Sequence, residues 1–208
     1  MSLKNERLPK QQLWFPAGRY FLRTVKREDA SQRWADWLSD PWTVHVLNTP
    51  PRAMTKAEIA DYIKTFDQRE RLLLGIFEKG SRAHVGFIRL DINAAVSEGL
   101  VSAVIGEKEH RHAGATVNTF IPLLKFVFDD LKLSHVRAFV LERNQTTIQY
   151  LSKLGWTLES EPQSPVRSHT DGSLLVLRRM SWDRAGFQTW LKSPIGQRIV
   201  NRMEAAQG

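Results

Sequence analysis

A chain of 208 residues with 42% apolar and 25% charged side chains has material for one buried core, or one core with an appendage, in the proportions of an ordinary globular protein. Its net charge of +8 and pI near 10 favour anionic partners such as a polyphosphate cofactor, but the basic residues are dispersed and a nucleic-acid partner is not expected. Cysteine is absent and no apolar run reaches bilayer length, which excludes disulfides, thiolate metal sites and cysteine nucleophiles and leaves neither a metal nor a membrane expected.

The first ten residues are polar and basic and lack the apolar core of a signal peptide, so the expected location is the cytoplasm. Residues 20–25 alternate as a strand does. Asp29 reads as the cap of a helix to residue 38, with Trp34, Trp37 and Leu38 at helical spacing. Asp40-Pro41-Trp42 reads as its break, followed by a loop through Asn48-Thr49-Pro50-Pro51. Thr55 and Glu58 form a capping box that opens a helix to residue 66. Residues 72–78 and 84–92 are strands joined by a hairpin, and 100–105 is a third strand. A loop over 106–113 leads to an amphipathic helix over 114–131, which Pro122 should kink or shift. Then come a strand at 136–141, a helix at 146–154, the start of a strand at 157–159 and a last strand at 174–177. Two tail helices, 182–192 and 195–203, are parted by Ser193-Pro194.

This order predicts an α/β (α+β) fold with a mixed, mainly antiparallel central sheet flanked by helices and a C-terminal helical extension. The expected divisions are an N-terminal extension at 1–18, the main domain at 19–180 and a tail at 181–208. Trp182, Phe187, Trp190 and Leu191 give the tail an apolar face, for its own domain or for a second subunit in a homodimer.

Two segments carry chemistry. In the first, from Val104 to Thr116, a strand ends in a polar loop and small residues follow at the first turn of a helix. The first amides of a helix lack internal partners and sit at the positive end of its dipole, and small side chains let a phosphate reach them. Arg111 adds a fixed positive charge. The same residues also describe a plain strand–loop–helix turn with a packing glycine. In the second segment a strand ends at Asn144, a helix follows, and Lys153-Leu154-Gly155-Trp156 closes it with a glycine C-cap. Asn144 can cap that helix, a purely structural role, or reach a ligand.

Together these segments resemble the two signatures of the GCN5-related N-acetyltransferase (GNAT) superfamily, in its RimJ/RimL-like or amino-sugar branch. Arg111 and Gly114 fit the pattern Arg/Gln-x-x-Gly-x-Gly/Ala; Thr116 replaces the last small residue, and His112-Ala113 stands where Gly-Lys is common. The resemblance implies that Arg111, His112, Ala113, Gly114, Ala115 and Thr116 hold the pyrophosphate of acetyl-CoA, with Asn144 near its pantetheine. It implies that the strands at 101–105 and 136–141 splay, that pantetheine pairs with the first strand's edge, and that backbone at Val104, Ile105 and Gly106 polarises the thioester carbonyl. An amine would then attack directly. Glu98 and the loop residues Glu107 and His110 are candidate bases, and water is an alternative. The family's frequent acid, a tyrosine, would stand at Leu151; Tyr150 is its neighbour and the candidate here. Trp42, His45, Asn48 and Asp91 are candidate acceptor-lining residues. The implied activity is acetylation of a primary amine on an amino sugar, a polyamine or a protein N-terminus. A catalytically degenerate acyl-CoA-binding module is the alternative, motivated by the missing tyrosine and the altered glycine signature.

Overall fold

The computed structural model describes residues 8–111 and 114–206. Strands β1 (Trp14–Ala17) and β2 (Tyr20–Thr24) form a first hairpin. Helices α1 (Gln32–Ser39), α2 (Pro41–Leu47) and α3 (Lys56–Lys64) follow, then the meander β3 (Arg71–Glu78), β4 (His84–Asn93) and β5 (Glu98–Ile105). Helix α4 (Ala115–Lys125) runs into a π-helical turn, Phe126–Asp130, before β6 (His135–Leu141) and α5 (Gln145–Lys153). Short strands β7 (Thr157–Leu158) and β8 (Gln163–Arg167) precede the long β9 (Leu174–Asp183), and α6 (Arg184–Lys192) and α7 (Pro194–Ala205) end the chain. The strands lie in the order β1-β2-β3-β4-β5-β6-β9-β7, with β8 also on β9. Every neighbouring pair is antiparallel except β5 and β6, which run parallel. The mixed, mainly antiparallel sheet expected from the element order is therefore present. None of the helices among the described residues is long and apolar enough to cross a membrane.

Several boundaries differ from the sequence reading. Asp40-Pro41 does not open a loop: the Asp40 carboxylate accepts from the Thr43 amide at 3.3 Å, and Pro41 takes the first helical position, where its missing N–H costs nothing. That turn starts α2. Asp29 does not cap α1. Its two oxygens are held by Arg23 at 2.6 and 2.7 Å in a separate 3-10 turn, and Ser31 caps α1 instead. The last strand runs on to Asp183 because β9 pairs with β6 along the latter's whole length. Strands β1 and β8 escaped the sequence reading because each contains a proline, Pro16 and Pro165, and each lies on the margin of the sheet. Pro122 stays inside α4, and the π-helical turn begins four residues beyond it.

Alternation along the strands sends successive side chains to opposite faces. One face, including Leu72, Leu74, Leu90, Val136 and Met180, packs against α4 and α5 and the tail. The other, including Leu73, Phe87 and Val104, packs against Trp34 and Trp37 of α1 and Ile59 and Ile63 of α3. Each such buried side chain contributes about 1.5–3 kcal/mol of transfer free energy. In the tail, Phe187 is fully buried and Trp190 nearly so, both against Trp182 of β9. The apolar face expected as a possible subunit contact is thus covered by its own domain.

Candidate active site

The one parallel pair among the described strands is paired over only part of its length. Strands β5 and β6 are in register only from Glu98↔His135 to Leu100↔Arg137. Beyond that point β5 stays bonded to β4 as far as Ile105↔Gly86, and β6 stays bonded to β9 as far as Leu141↔Leu177. The two therefore part, and the facing backbone edge of β5 from Val101 to Ile105 has no strand partner. A cleft of about 810 Å³ opens there, with Ser102, Val104 and Ile105 on one wall and Ala138, Phe139 and Val140 on the other. Gly114, Thr116 and Asn144 also line it.

The cleft ends at the N-terminus of α4. Gly114 precedes the helix with φ +78°, a left-handed conformation that favours glycine, and as the N-cap residue it has no side chain to cap the helix. The amides of Ala115, Thr116 and Val117 belong to the first turn, whose N–H groups have no intrahelical acceptor. Among the described residues a Cβ on Gly114 would meet nothing closer than 3.9 Å, so none of them blocks the approach to these amides. His112 and Ala113 lie outside the described residues. Arg111 is not directed at the helix. Its Nε donates to the Ile105 carbonyl at 3.1 Å and its Nη2 to the Gly106 carbonyl at 3.0 Å, with the Asp40 carboxylate at 3.2 Å. The guanidinium also lies 4.2 Å from the centre of the Trp42 ring. Arg111 thereby clamps the loop that follows β5.

Among the described residues the cleft is lined by three arginines, Arg19, Arg111 and Arg202, and by no carboxylate, lysine or histidine. Such a wall suits a polyanion. A diphosphate with a long arm fits this outline, with phosphate at the uncapped turn and the arm along the β5 edge.

Residues 19–157 match the family model described as an acetyltransferase (GNAT) domain. The chain belongs to the GNAT acetyltransferase family. It is an acyl-CoA N-acyltransferase by that membership. The spermidine N-acetyltransferase from Vibrio cholerae, solved with CoA and spermine, is similar in fold: 17% identity, TM-score 0.68, covering 82% of this chain and 98% of that one. The ribosomal-protein-S5-alanine acetyltransferase from Vibrio fischeri gives 15% identity and a TM-score of 0.66 over 80% and 95% of the two chains. A GCN5-related N-acetyltransferase from Brucella melitensis gives 17% and 0.68 over 93% and 92%. No curated protein matches the chain.

Within this GNAT cleft the candidate proton-transfer groups separate clearly. Tyr150 lines it, on the turn of α5 that buries Ile148 and Leu151. Burial raises its pKa, and the Val117 amide donates to its hydroxyl, so the phenol stays protonated and its own proton is free to be given. Glu98 is elsewhere. It sits at the closed end of the β5–β6 pair, 2.5 Å from Arg137. His110 is buried behind the loop, with Nδ1 3.0 Å from the Tyr20 hydroxyl, and does not line the cleft. Glu107 is likewise engaged, by Arg33 at 2.5 Å and the Trp37 indole at 2.7 Å; the hydrogen bond from Arg33 leads in holding its pKa below the usual carboxylate range.

Of the acceptor candidates, Trp42 lines the cleft and is 46% exposed. His45 is exposed on α2, and its carbonyl accepts from Arg143 at 2.5 Å. Asn48 ends α2, and its amide joins the loop before β9, donating to the Arg167 carbonyl at 2.8 Å and accepting from the His169 amide at 2.9 Å. Asp91 is held by Arg89 at 2.5 Å and Arg71 at 3.5 Å. The sequence reading missed Phe139, 45% exposed on the β6 wall, and the cleft residues of the tail. An alternation Arg137, Phe139, Leu141 against Val136, Ala138, Val140 was the available signal for Phe139.

Proposed function

We propose that this chain transfers an acetyl group directly from acetyl-CoA to a primary amine. The observation that carries the reading is the parting of β5 and β6, which leads an unpartnered strand edge straight to a helix that starts on glycine, in a cleft with no carboxylate among its described residues. When bound, acetyl-CoA supplies an activated thioester. The amides of Ala115 and Thr116 in the first turn of α4 would hold its diphosphate, and the free edge of β5 would hold its arm as an added strand. The Gly106 N–H donates to the Val85 carbonyl at 2.9 Å, so by alternation the Ile105 N–H would face the thioester oxygen. Asn144, whose side chain accepts from the Thr147 amide at 3.2 Å, fixes the start of α5 beside the arm. Tyr150 would give its proton to the departing sulfur. With no carboxylate or imidazole on the wall among the described residues, the amine would lose its proton to water, and approximation would supply most of the rate.

Two acceptor classes are supported, since the similar folds include a spermidine N-acetyltransferase and a ribosomal-protein-S5-alanine acetyltransferase. On the sheet face shared with Ser102, the carboxylates of Asp91, Glu98 and Glu159 are all paired with arginines. A polycation finds no free carboxylate there, which favours an acceptor with a single ammonium group. The same lack of a base favours a second reading, an acyl-CoA-binding module without turnover. A panel of spermidine, glucosamine and a peptide with a free N-terminal alanine, assayed for thiol release beside calorimetric titration of acetyl-CoA, separates these. Turnover on any amine establishes the transferase. Binding without turnover on the whole panel leaves the module, and absence of binding removes both.

A further inference from the structure

The family match ends at residue 157, yet the cleft has a wall built from the C-terminal tail. Ile199, Arg202, Met203 and Ala206 all line it. Their spacing of 0, 3, 4 and 7 places them on one stripe of a helix, so α7 presents a whole face to the cleft and not a single stray side chain. Two contacts fix that placement. A Cβ at Gly196 would lie 2.0 Å from the Trp190 carbonyl oxygen, so the tight corner between α6 and α7 requires glycine there. At the other end, the Met203 side chain packs against the turn of the first hairpin at Gly18, and Asn118 of α4 packs against the same turn. The tail helix therefore lies beside the N-terminal half of α4, next to the amides assigned to the diphosphate.

The charges on this wall are of one sign. Arg19, from that same hairpin turn, is bonded to Glu78 at 2.7 Å, and Arg111 is consumed by the loop. Arg202 is exposed and makes no ion pair among the described residues. It is the cleft-lining cation left for a ligand. The apolar residues beside it, Ile199 and Met203, offer a surface for a flat ring. Resting on the reading above, we propose that α7 completes the cofactor site, with Arg202, supported by Arg19, binding the 3′-phosphate of the nucleotide end of CoA. The tail would then make this chain selective for the phosphorylated nucleotide.

Calorimetric titration with CoA and with 3′-dephospho-CoA, which differ only in that phosphate, tests the assignment in the full chain. A charge-assisted contact at a partly exposed site should favour CoA by about tenfold in Kd. Arg202→Gln should bring the ratio near one, with the affinity for dephospho-CoA unchanged. Arg19→Gln should lower the ratio less. Arg198→Gln, one turn away on α7 and outside the lining, should leave it as it is. An Arg202→Gln chain that still favours CoA as the wild type does, or that loses both ligands equally, overturns the proposal. Failure of both to bind the wild-type chain removes the cofactor reading itself, and this inference with it.

Discussion

The two ends of the β5–β6 pair are built from the same two strands and do opposite things. At the closed end, Glu98 to Leu100 pair with His135 to Arg137, the backbone ladder is complete, and the Glu98 and Arg137 charges neutralise one another. At the open end the ladder is missing, the wall is apolar with arginines around its rim, and the nearest backbone donors belong to a helix start without a cap. On the proposed reading, binding capacity resides in main-chain groups that the fold leaves unpaired, and stability in those it pairs. Only the parting of the strands decides which is which. Buried or walled-in polar groups without partners are costly, so an edge of five residues held apart by β4 on one side and β9 on the other supports the proposed binding of a strand-like ligand.

The sharpest way to break this contrast is to close the open end. Gly114→Trp should reduce acetyl-CoA affinity at least hundredfold, measured by calorimetry. The indole fills the mouth of the cleft, and the φ of +78° adds strain of about 1–2 kcal/mol for any L side chain. Gly114→Ala is the informative partner. Its Cβ meets only atoms at 3.9 Å and beyond, so it carries the strain without the bulk. It should keep affinity within a few-fold while lowering the melting temperature. Equal losses in both variants would show that the backbone conformation, and not access to the amides, controls binding.

A smaller effect is expected inside the cleft. Tyr150→Phe should lower kcat by roughly 30- to 100-fold with acetyl-CoA affinity within twofold, since general acid catalysis by a placed group is worth at least that. An unchanged kcat would mean that solvent protonates the sulfur and that the hydroxyl serves only to accept from the Val117 amide.

Much of this arrangement was legible in the sequence, for a physical reason. Local signals hold where local interactions decide the outcome. Thr55 with Glu58 forms the capping box that the sequence predicts, Asn144 caps α5, and the apolar run of β3 is buried on both faces as a central strand requires. Such signals fail where a distant partner decides. Nothing near Arg111 announces that its donors go to the carbonyls just behind it and to Asp40, 71 positions away. Tyr150 stands about 100° around the helix from Leu151, which argues against a shared site. Yet the cleft is wide enough that both side chains reach it. His110 carries no local mark of its burial either, because its partner Tyr20 is 90 positions away. The tail's apolar face at Trp182, Phe187, Trp190 and Leu191 was visible in the sequence, but the α7 stripe on the cleft was not, because its placement is settled by distant contacts at Gly18 and a tight corner at Gly196.

The smallest expected effect is the one that tests the comparison most directly. Glu98 has the right chemistry for a base and lies on the right strand, so only its place at the closed end argues against it. Glu98→Gln should leave kcat/KM within twofold of wild type at every pH. The profile should keep the single rise expected from deprotonation of the acceptor amine, because no carboxylate or imidazole among the described residues lines the cleft. The cost should fall on stability instead. Side chains 22% and 30% exposed place the pair with Arg137 between surface and interior, so its loss is worth about 0.5–1 kcal/mol, softened by Glu159 at 3.8 Å from the same arginine. For a chain of this size that corresponds to a fall in Tm of about 1–4 °C. A flattened pH profile with an unchanged Tm would be the reverse pattern. It would require the closed end to open during turnover and would return Glu98 to the chemistry, since a carboxylate that is paired at rest can act as a base only if Arg137 releases it.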